Sequence, residues 1–295
     1  MPTAHPGDLL LTALAPAIWG STYLVTTQLL PQGYPVTVSL LRALPAGLLL
    51  LAWTRRLPAG RWWARAFVLG ALNFTLFWIM LFVSAYRLPG GVAATLGAVQ
   101  PLLVVFLARL FLGTPVRLRA VLAAVAGVIG VALLVLSASA RLDPLGILAG
   151  VAGAGSMACG TVLSRRWQPP VPLLAFTAWQ LTAGGLLLLP LALLLEPPLP
   201  PLTAGNVAGF AYLGLIGAAF TYALWFRGIA RIEAANVAIL GFLSPVTAVL
   251  LGWLVLGQAL ALPQLLGMAI VLLSVWHGRP PPPRARPALQ PGEPA

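Results

Sequence analysis

Lysine is absent from this chain, and acidic residues are nearly so. All seventeen basic residues are arginine, and only five residues are aspartate or glutamate, which leaves a net charge of +12. Charged residues make up 7% of the 295 positions, whereas hydrophobic ones make up 60%. A soluble protein of this length needs far more charge on its surface. The composition therefore excludes a soluble fold and indicates an integral membrane protein.

The chain also lacks the residue patterns on which most enzymes depend. Its single cysteine, Cys159, excludes an intramolecular disulfide, and its only histidines are His5 and His277. No glycine-rich phosphate loop follows a strand pattern, and histidines and acids lack metal-ligand spacing. We therefore expect no enzyme activity, no metal and no cofactor. The acids fall at predicted membrane boundaries, in loops or in the tail, at Asp8, Asp143, Glu196, Glu233 and Glu293.

What the chain does contain is a series of apolar runs close to the length of a membrane-spanning helix, about 20 residues. Turn residues or arginines separate most of them. The sequence therefore predicts an all-α membrane protein with ten transmembrane helices. The predicted spans are 9–28, 35–53, 65–85, 90–111, 119–137, 145–164, 172–195, 205–226, 235–256 and 262–277.

The arginines indicate which way the spans run. With the N-terminus in the cytoplasm, fourteen arginines fall on the cytoplasmic side, Arg87 and Arg141 fall outside, and Arg42 lies within a span. Because basic residues are enriched in cytoplasmic loops, both termini are predicted to be cytoplasmic. This distribution also explains the basic composition without nucleic acid as a partner. The tail 279–295 is rich in proline and arginine and is predicted to be disordered.

One sequence block is present in both halves of the chain, 144 positions apart. The segment 96–101, LGAVQP, returns as 240–245, LGFLSP, and Arg87 returns as Arg231. Matching glycine, proline and arginine positions indicate a duplication. Because each copy holds five spans, an odd number, the second copy is predicted to run inverted relative to the first. The two predicted repeats are residues 1–139 and 140–278.

A five-plus-five inverted repeat, with each half closing on Leu-Gly-x-x-x-Pro and then Leu-x-Leu-Gly, resembles the drug/metabolite transporter superfamily. More narrowly, the chain resembles EamA-type exporters, among them aromatic amino-acid exporters of the YddG type. Trp19-Gly20-Ser21 and Arg42-Ala43-Leu44 are similar to motifs of that family, and the resemblance covers about residues 9–277. It implies a central cavity between spans one, three, four, six, eight and nine.

The sequence departs from the family at one repeated position. Many relatives place glutamate directly after the Leu-Gly that ends the fourth span of each half, where this chain has Thr114 and Gln258. No carboxylate or histidine lies in the middle of any predicted span. Carriers coupled to protons or sodium usually bury such a group to bind the ion. The sequence therefore favours uniport, the movement of a substrate down its own gradient.

Aromatic and polar side chains within the spans are candidates for substrate contact. The aromatic ones can stack on an apolar substrate, and Gln100 and Ser244 can hydrogen-bond its polar end. Arg42 has two interpretations: it reaches the outer interface or backbone carbonyls, or it attracts a substrate carboxylate. The predicted substrate-binding residues are Trp19, Tyr23, Arg42, Phe74, Phe77, Trp78, Gln100, Trp179, Tyr222 and Ser244.

The repeated Gly-x-x-x-Pro pattern predicts two bending points. A proline inside a helix removes a backbone donor and leaves a carbonyl one turn earlier without its bond, which kinks the helix. The alternative for the glycines is static close packing of helices. The predicted hinge residues are Gly97, Pro101, Gly241 and Pro245.

The sequence therefore predicts a transporter of the bacterial inner membrane that exports small metabolites by alternating access. Its partners are then the small-molecule substrate and the lipid bilayer. Amino acids, aromatic or otherwise neutral, are the leading candidates for its cargo. Three alternatives remain: a multidrug or hydrophobic-cation efflux pump, a sugar or sugar-phosphate carrier, and a membrane scaffold without transport activity. The absence of buried acid disfavours the first, and the single arginine within a span disfavours the second.

Overall fold

Helices account for nearly all of the chain that can be described. The computed structural model describes residues 6–88, 95–135, 143–258 and 260–278, apart from the side chains of Tyr23, Ala85, Tyr86 and Val135. Within these residues there is no β-strand. The tail predicted to be disordered, 279–295, lies outside the described residues, as do the segments 89–94 and 136–142.

Ten helical rods, α1 to α10, follow one another along the described residues. The third and eighth are continuous rods that each include a π-helical segment, Ala71–Thr75 and Tyr212–Phe220. The rods are α1 (Pro6–Leu29), α2 (Pro35–Thr54), α3 (62–87), α4 (Thr95–Leu112), α5 (Leu118–Val135), α6 (Pro144–Arg166), α7 (Leu173–Leu195), α8 (Ala204–Arg231), α9 (Ala234–Leu256) and α10 (Leu262–His277).

Eight of the described rods are long and apolar enough to cross a membrane, and the other two, α5 and α10, are shorter apolar helices. Their positions agree with the predicted spans to within a few residues. The predicted start of the fourth span, 90–94, lies outside the described residues. Among the described helix ends, the largest difference is at α8, which continues to Arg231 rather than ending near 226. Its 28 residues exceed the thickness of a bilayer, and such a helix is accommodated by tilting.

Proline and glycine mark many helix boundaries. Pro35 and Pro144 begin α2 and α6, where a proline costs no hydrogen bond because the first amides of a helix have no intrahelical acceptor. Glycine ends two other helices. The C-termini of α4 and α9 are followed by Gly113 and Gly257, which have left-handed φ values of 68° and 65°. Glycine adopts this conformation without the steric cost that a Cβ atom imposes.

Small residues allow the helices to pack closely. The most extensive helix pair is α2 with α7, and α5 with α10 is a further extensive pair. At the first interface, a Cβ atom added to Gly47 would lie 2.5 Å from the backbone nitrogen of Thr182, and one added to Gly185 would lie 2.6 Å from the Cβ of Leu44. Close contact between backbones is how membrane helices associate when lipid provides no hydrophobic driving force.

The remaining helices form two groups. In one group, α1 packs against α8 and α9; in the other, α6 packs against α3 and α4. A cavity lies between these two groups of helices.

Candidate functional site

The cavity has a volume of about 300 Å³ and is lined by residues of α1, α2, α3, α4, α6, α8 and α9. From α1 and α3 it takes the C-terminal halves, including Thr26 and Phe82, and from α2 the N-terminal half, including Val38. It therefore lies towards the end of the molecule where α1 and α3 end and α2 begins. A cavity of this size falls at the lower end of the range for small-molecule sites.

Aromatic rings form much of the wall. Trp19 packs against both Tyr222 and Trp225, with ring centroids 4.8 and 5.1 Å away. Phe77 and Trp78 of α3 also line the cavity. Aromatic walls of this kind suit a ligand with a flat apolar part, because ring faces and edges attract one another beyond their hydrophobic burial.

Arg42 lines the cavity, and its side chain is hydrogen-bonded to α8. Its Nη2 donates a hydrogen bond to the carbonyl oxygen of Gly217 at 2.8 Å, and its guanidinium lies 5.2 Å from the ring centroid of Trp78. The same carbonyl accepts from Trp19 Nε1 at 3.2 Å and from Thr221 Oγ1 at 2.9 Å. Gly217 belongs to the π-helical segment of α8, where the altered hydrogen-bond pattern makes a carbonyl available to side chains.

These contacts are compatible with both interpretations of Arg42. The side chain bonds a backbone carbonyl, as the first interpretation requires, and it also lines the cavity, as the second requires. The cation–π contact with Trp78 further fixes its guanidinium. Arg42 is therefore a positioned cation at the cavity wall.

Two further nitrogen donors belong to residues of the wall. Gln100 Nε2 and Trp225 Nε1 are buried, and neither has a hydrogen-bond acceptor within the described residues. Gln100 is on α4 and Trp225 is on α8. Buried N–H groups are nearly always bonded in folded proteins, so two exceptions at one cavity require an explanation.

The two repeated glycine–proline segments interrupt α4 and α9 beside the cavity. Before Pro101, the amide of Val99 bonds the carbonyl of Leu96 at 3.2 Å; before Pro245, the amide of Ser244 bonds the carbonyl of Gly241 at 3.1 Å. Both are bonds between residues three apart, tighter than the α-helical pattern. Gly97, Pro101, Gly241 and Pro245 all line the cavity, as does Ser244.

Two of the predicted substrate-binding residues whose side chains are described do not line the cavity. Phe74 is fully buried and lies behind the wall, with its ring 4.6 Å from that of Tyr222. Trp179 lies elsewhere, where its Nε1 donates to the carbonyl of Arg56 and its ring packs on Trp62. The side chain of Tyr23 is outside the described residues.

Gln180, which stands opposite Arg42 when Gly47 is aligned with Gly185, also lies away from the cavity. It is fully buried, and its Oε1 accepts a hydrogen bond from Asn73 Nδ2 at 2.8 Å. Asn73 Nδ2 also lies 3.2 Å from Ser164 Oγ. These three side chains form a polar link between α3, α6 and α7, whereas Arg42 lies at the cavity wall.

Trp225, Thr22 and Met157 line the cavity but were not among the predicted substrate-binding residues. Trp225 lies three residues after Tyr222, the spacing that places two side chains on one face of an α-helix. Given Tyr222 as a candidate, this spacing predicts that Trp225 lies on the same helix face. Nothing in the sequence pattern marks Met157, which lies in an apolar run of α6.

The opposite end of the molecule is filled by side chains. Val104 and Ala108 of α4 pack there with Val162 of α6 and with Ala234 and Ala238 of α9, and all five are buried. Two polar contacts lie at the same end of the molecule. Arg117 Nη1 lies 2.9 Å from Glu233 Oε2, and Arg165 Nη1 donates to the carbonyl of Ile229 at 2.7 Å. The cavity is therefore closed at this end.

Comparison with known proteins finds two similar sequences and one similar solved structure. Protein PecM of Dickeya dadantii (strain 3937) is 46% identical over 259 residues, covering 87% of each chain. The inner membrane transporter YedA of Escherichia coli (strain K12) is 29% identical over 265 residues, covering 88% of this chain and 86% of YedA. A crystal structure at 21% identity superposes with a TM-score of 0.79 and covers 92% of this chain and 97% of that one, which supports the fold.

The family-level sequence model described as the EamA-like transporter family matches twice, at residues 6–136 and 144–277. Together the two matches include all ten rods and every lining residue of the cavity. The helical rods and their apolar composition agree with this match. The chain therefore belongs to the EamA-like transporter family and is a multi-pass membrane transporter.

Proposed function

We propose that this transporter exports small metabolites, amino acids with aromatic or other neutral side chains first, across the bacterial inner membrane by alternating access. The observation that carries the proposal is the cavity itself. It combines an aromatic wall with a positioned cation, Arg42, and is closed at one end by packed side chains. An aromatic amino acid offers the complementary parts, a flat apolar ring and a carboxylate.

The inverted repeat belongs to this proposal and is supported by the helix packing. Exchanging α1 to α5 with α6 to α10 maps the contacts α1–α8 and α1–α9 onto α6–α3 and α6–α4, and leaves the pairs α2–α7 and α5–α10 in place. The ion pairs follow the same exchange. Arg87 lies 3.6 Å from Asp143, and Arg231 lies 3.3 Å from Asp8. The double family match adds support.

In this arrangement all ten rods cross the membrane with both termini in the cytoplasm. The cavity then lies towards the outer side, and the packed end with Glu233 lies at the cytoplasmic side. Alternating access requires this packed end to open while the other end closes. The interrupted segments of α4 and α9 lie between the cavity and the packed end and serve as the bending points.

Uniport is the mode of transport that the cavity supports. Among the described residues that line it there is no aspartate, glutamate or histidine. A proton- or sodium-coupled carrier needs a group there that binds the ion. The same lining offers no negative charge for a cationic drug, and Arg42 is its one basic residue, which is few for a phosphorylated sugar.

The proposal is tested with purified protein in liposomes loaded with radiolabelled L-phenylalanine. We expect the label to leave down its own gradient with no pH or sodium gradient applied. Trp78→Ala removes a buried aromatic wall residue and should lower the initial rate about tenfold, the effect expected for a dominant binding residue. Trp253→Ala, at an exposed tryptophan of α9, is the control and should transport like the parent protein.

Two outcomes contradict parts of the proposal. Strict dependence on a pH or sodium gradient excludes uniport. Absence of any phenylalanine flux by the parent protein, with the protein correctly inserted, excludes aromatic amino acids as the cargo.

A further inference from the structure

Two residues of the cavity lining carry buried nitrogen donors that lack acceptors. Gln100 Nε2 and Trp225 Nε1 are buried nitrogen donors with no acceptor within the described part of the chain. Trp225 is 1% exposed, and its ring is held by the neighbouring Trp19. A buried donor without an acceptor is costly to the fold, and such a group persists more readily when a ligand supplies the acceptor.

The charge of the lining has one sign. Arg42 contributes a positive charge, and none of the described lining residues is acidic. Hydroxyls such as those of Thr26 and Ser39 also line the wall, and that of Ser39 donates to the carbonyl of Pro35 at 2.8 Å. A ligand ammonium group would therefore be near a like charge in a site of low dielectric, with no carboxylate to compensate it.

We infer that the cavity recognises acceptor oxygens of its ligand, a carboxylate and a neighbouring carbonyl, through Gln100 Nε2 and Trp225 Nε1, and that an α-ammonium group contributes nothing to recognition. This inference rests on the proposed function. It keeps the aromatic and carboxylate contacts of that proposal and shifts the preferred cargo from free amino acids to carboxylates without an ammonium group. The preferred ligands are aromatic carboxylates whose nitrogen is acylated or absent. The aromatic wall binds the ring, and the three donors, including Arg42, surround the oxygens.

The test compares three ligands that differ in charge and share one ring. The purified protein in nanodiscs is titrated calorimetrically with N-acetyl-L-phenylalanine, L-phenylalanine and L-phenylalaninamide. We expect the N-acetyl compound to bind at least as tightly as L-phenylalanine. L-Phenylalaninamide, which is a cation without a carboxylate, should bind at least tenfold more weakly than both.

Two substitutions test the donors themselves. Trp225→Phe keeps an aromatic ring and removes the N–H, and it should weaken N-acetyl-L-phenylalanine by about ten- to a hundredfold, the value of a hydrogen bond to a charged group. Trp253→Phe is the matched control at an exposed tryptophan and should leave binding unchanged. Gln100→Glu replaces the amide donor by a carboxylate of the same size, and it should reverse the preference in favour of L-phenylalaninamide.

The outcomes separate this inference from the proposed function. Tighter binding of L-phenylalanine than of its N-acetyl derivative overturns the inference and leaves the proposed function standing. Unchanged ligand preference in Gln100→Glu, or unchanged affinity in Trp225→Phe, also overturns it. Absence of binding by all three ligands, together with absence of phenylalanine flux, contradicts both.

Discussion

At the scale of single residues, the structure explains why Gly20 is a glycine. It lies on α1 where that helix crosses the interrupted part of α9. A Cβ atom added there would lie 2.5 Å from the carbonyl oxygen of Ser244 and 2.6 Å from the Cβ of Thr247. The first of these atoms belongs to the backbone and cannot turn aside as a side chain can. The close approach of α1 to α9 beside Pro245 therefore depends on this glycine.

Gly20→Ala should destabilise the protein by about 1–3 kcal/mol, because overpacking forces the two backbones apart. The control is Gly155→Ala on α6, where an added Cβ would have nothing within 4 Å. That variant should be neutral or more stable by about 0.5–1 kcal/mol, because alanine favours the helix. The measurement is the temperature at which half of the detergent-solubilised protein loses its monodisperse peak in size-exclusion chromatography. Equal midpoints for the two variants would contradict the close contact.

The sequence pattern does not predict which individual side chains face the cavity. Trp19 and Trp179 are both tryptophans in apolar helices, and both were predicted to bind substrate. Only Trp19 lines the cavity, whereas Trp179 donates to the carbonyl of Arg56. A helix that is apolar on all sides has no polar face to reveal which side turns inward. The choice between the two depends on helix rotation, which the sequence pattern does not contain.

At the scale of elements, α4 and α9 are the helices that carry the interruptions beside the cavity and extend to the closed end. Their interruptions at the repeated proline segments were predicted, because the residues that break a helix are local. The contact that closes the opposite end of the molecule was not predicted, because it joins Arg117, after α4, to Glu233, before α9. Such a pair has no sequence spacing that identifies it. Arg165 lies at the same end, where its Nη1 donates to the carbonyl of Ile229.

Glu233→Gln should weaken the closed end, because it removes the charge that Arg117 contacts at 2.9 Å and keeps the side-chain size. The pair is partly exposed, so its effect is at most about 1 kcal/mol, or up to about fivefold in the population of the open form. The measurement is the alkylation rate of an Ala234→Cys reporter, buried at this end, in inside-out vesicles of a protein whose native Cys159 is replaced by alanine.

Arg166→Gln provides the control for this experiment, because it removes one charge at an exposed position near the same end. It should leave the alkylation rate of the reporter unchanged. If Glu233→Gln and Arg166→Gln alter the rate equally, the ion pair does not hold this end closed.

At the scale of the whole molecule, the proposed inversion places equivalent residues on opposite faces. Arg87 and Arg231 end α3 and α8, both are exposed, and each lies near an aspartate at the start of α6 or α1. A parallel duplication would place both on one face of the membrane. The inverted repeat therefore makes a prediction that no other arrangement of the two halves shares.

Arg87→Cys and Arg231→Cys, each in the Cys159→Ala background, should react with a membrane-impermeant maleimide from opposite sides. In right-side-out vesicles, position 87 should be labelled at once, and position 231 only after the membrane is opened. The Cys159→Ala parent, which has no cysteine, should remain unlabelled. Labelling of both positions from the same side would exclude the inversion.

The sequence by itself determined the membrane class, the positions of the helices and the family. These follow from local chemistry, because a bilayer requires apolar segments of set length and excludes unpaired backbone groups. The sequence also placed the helix interruptions, because glycine and proline alter the helix at their own positions. Only the tertiary structure decided which polar side chains meet a cavity and which meet each other. Gln180 bonds Asn73, whereas Gln100 and Trp225 have no acceptor in the described chain, because packing between helices far apart in sequence selects the partner.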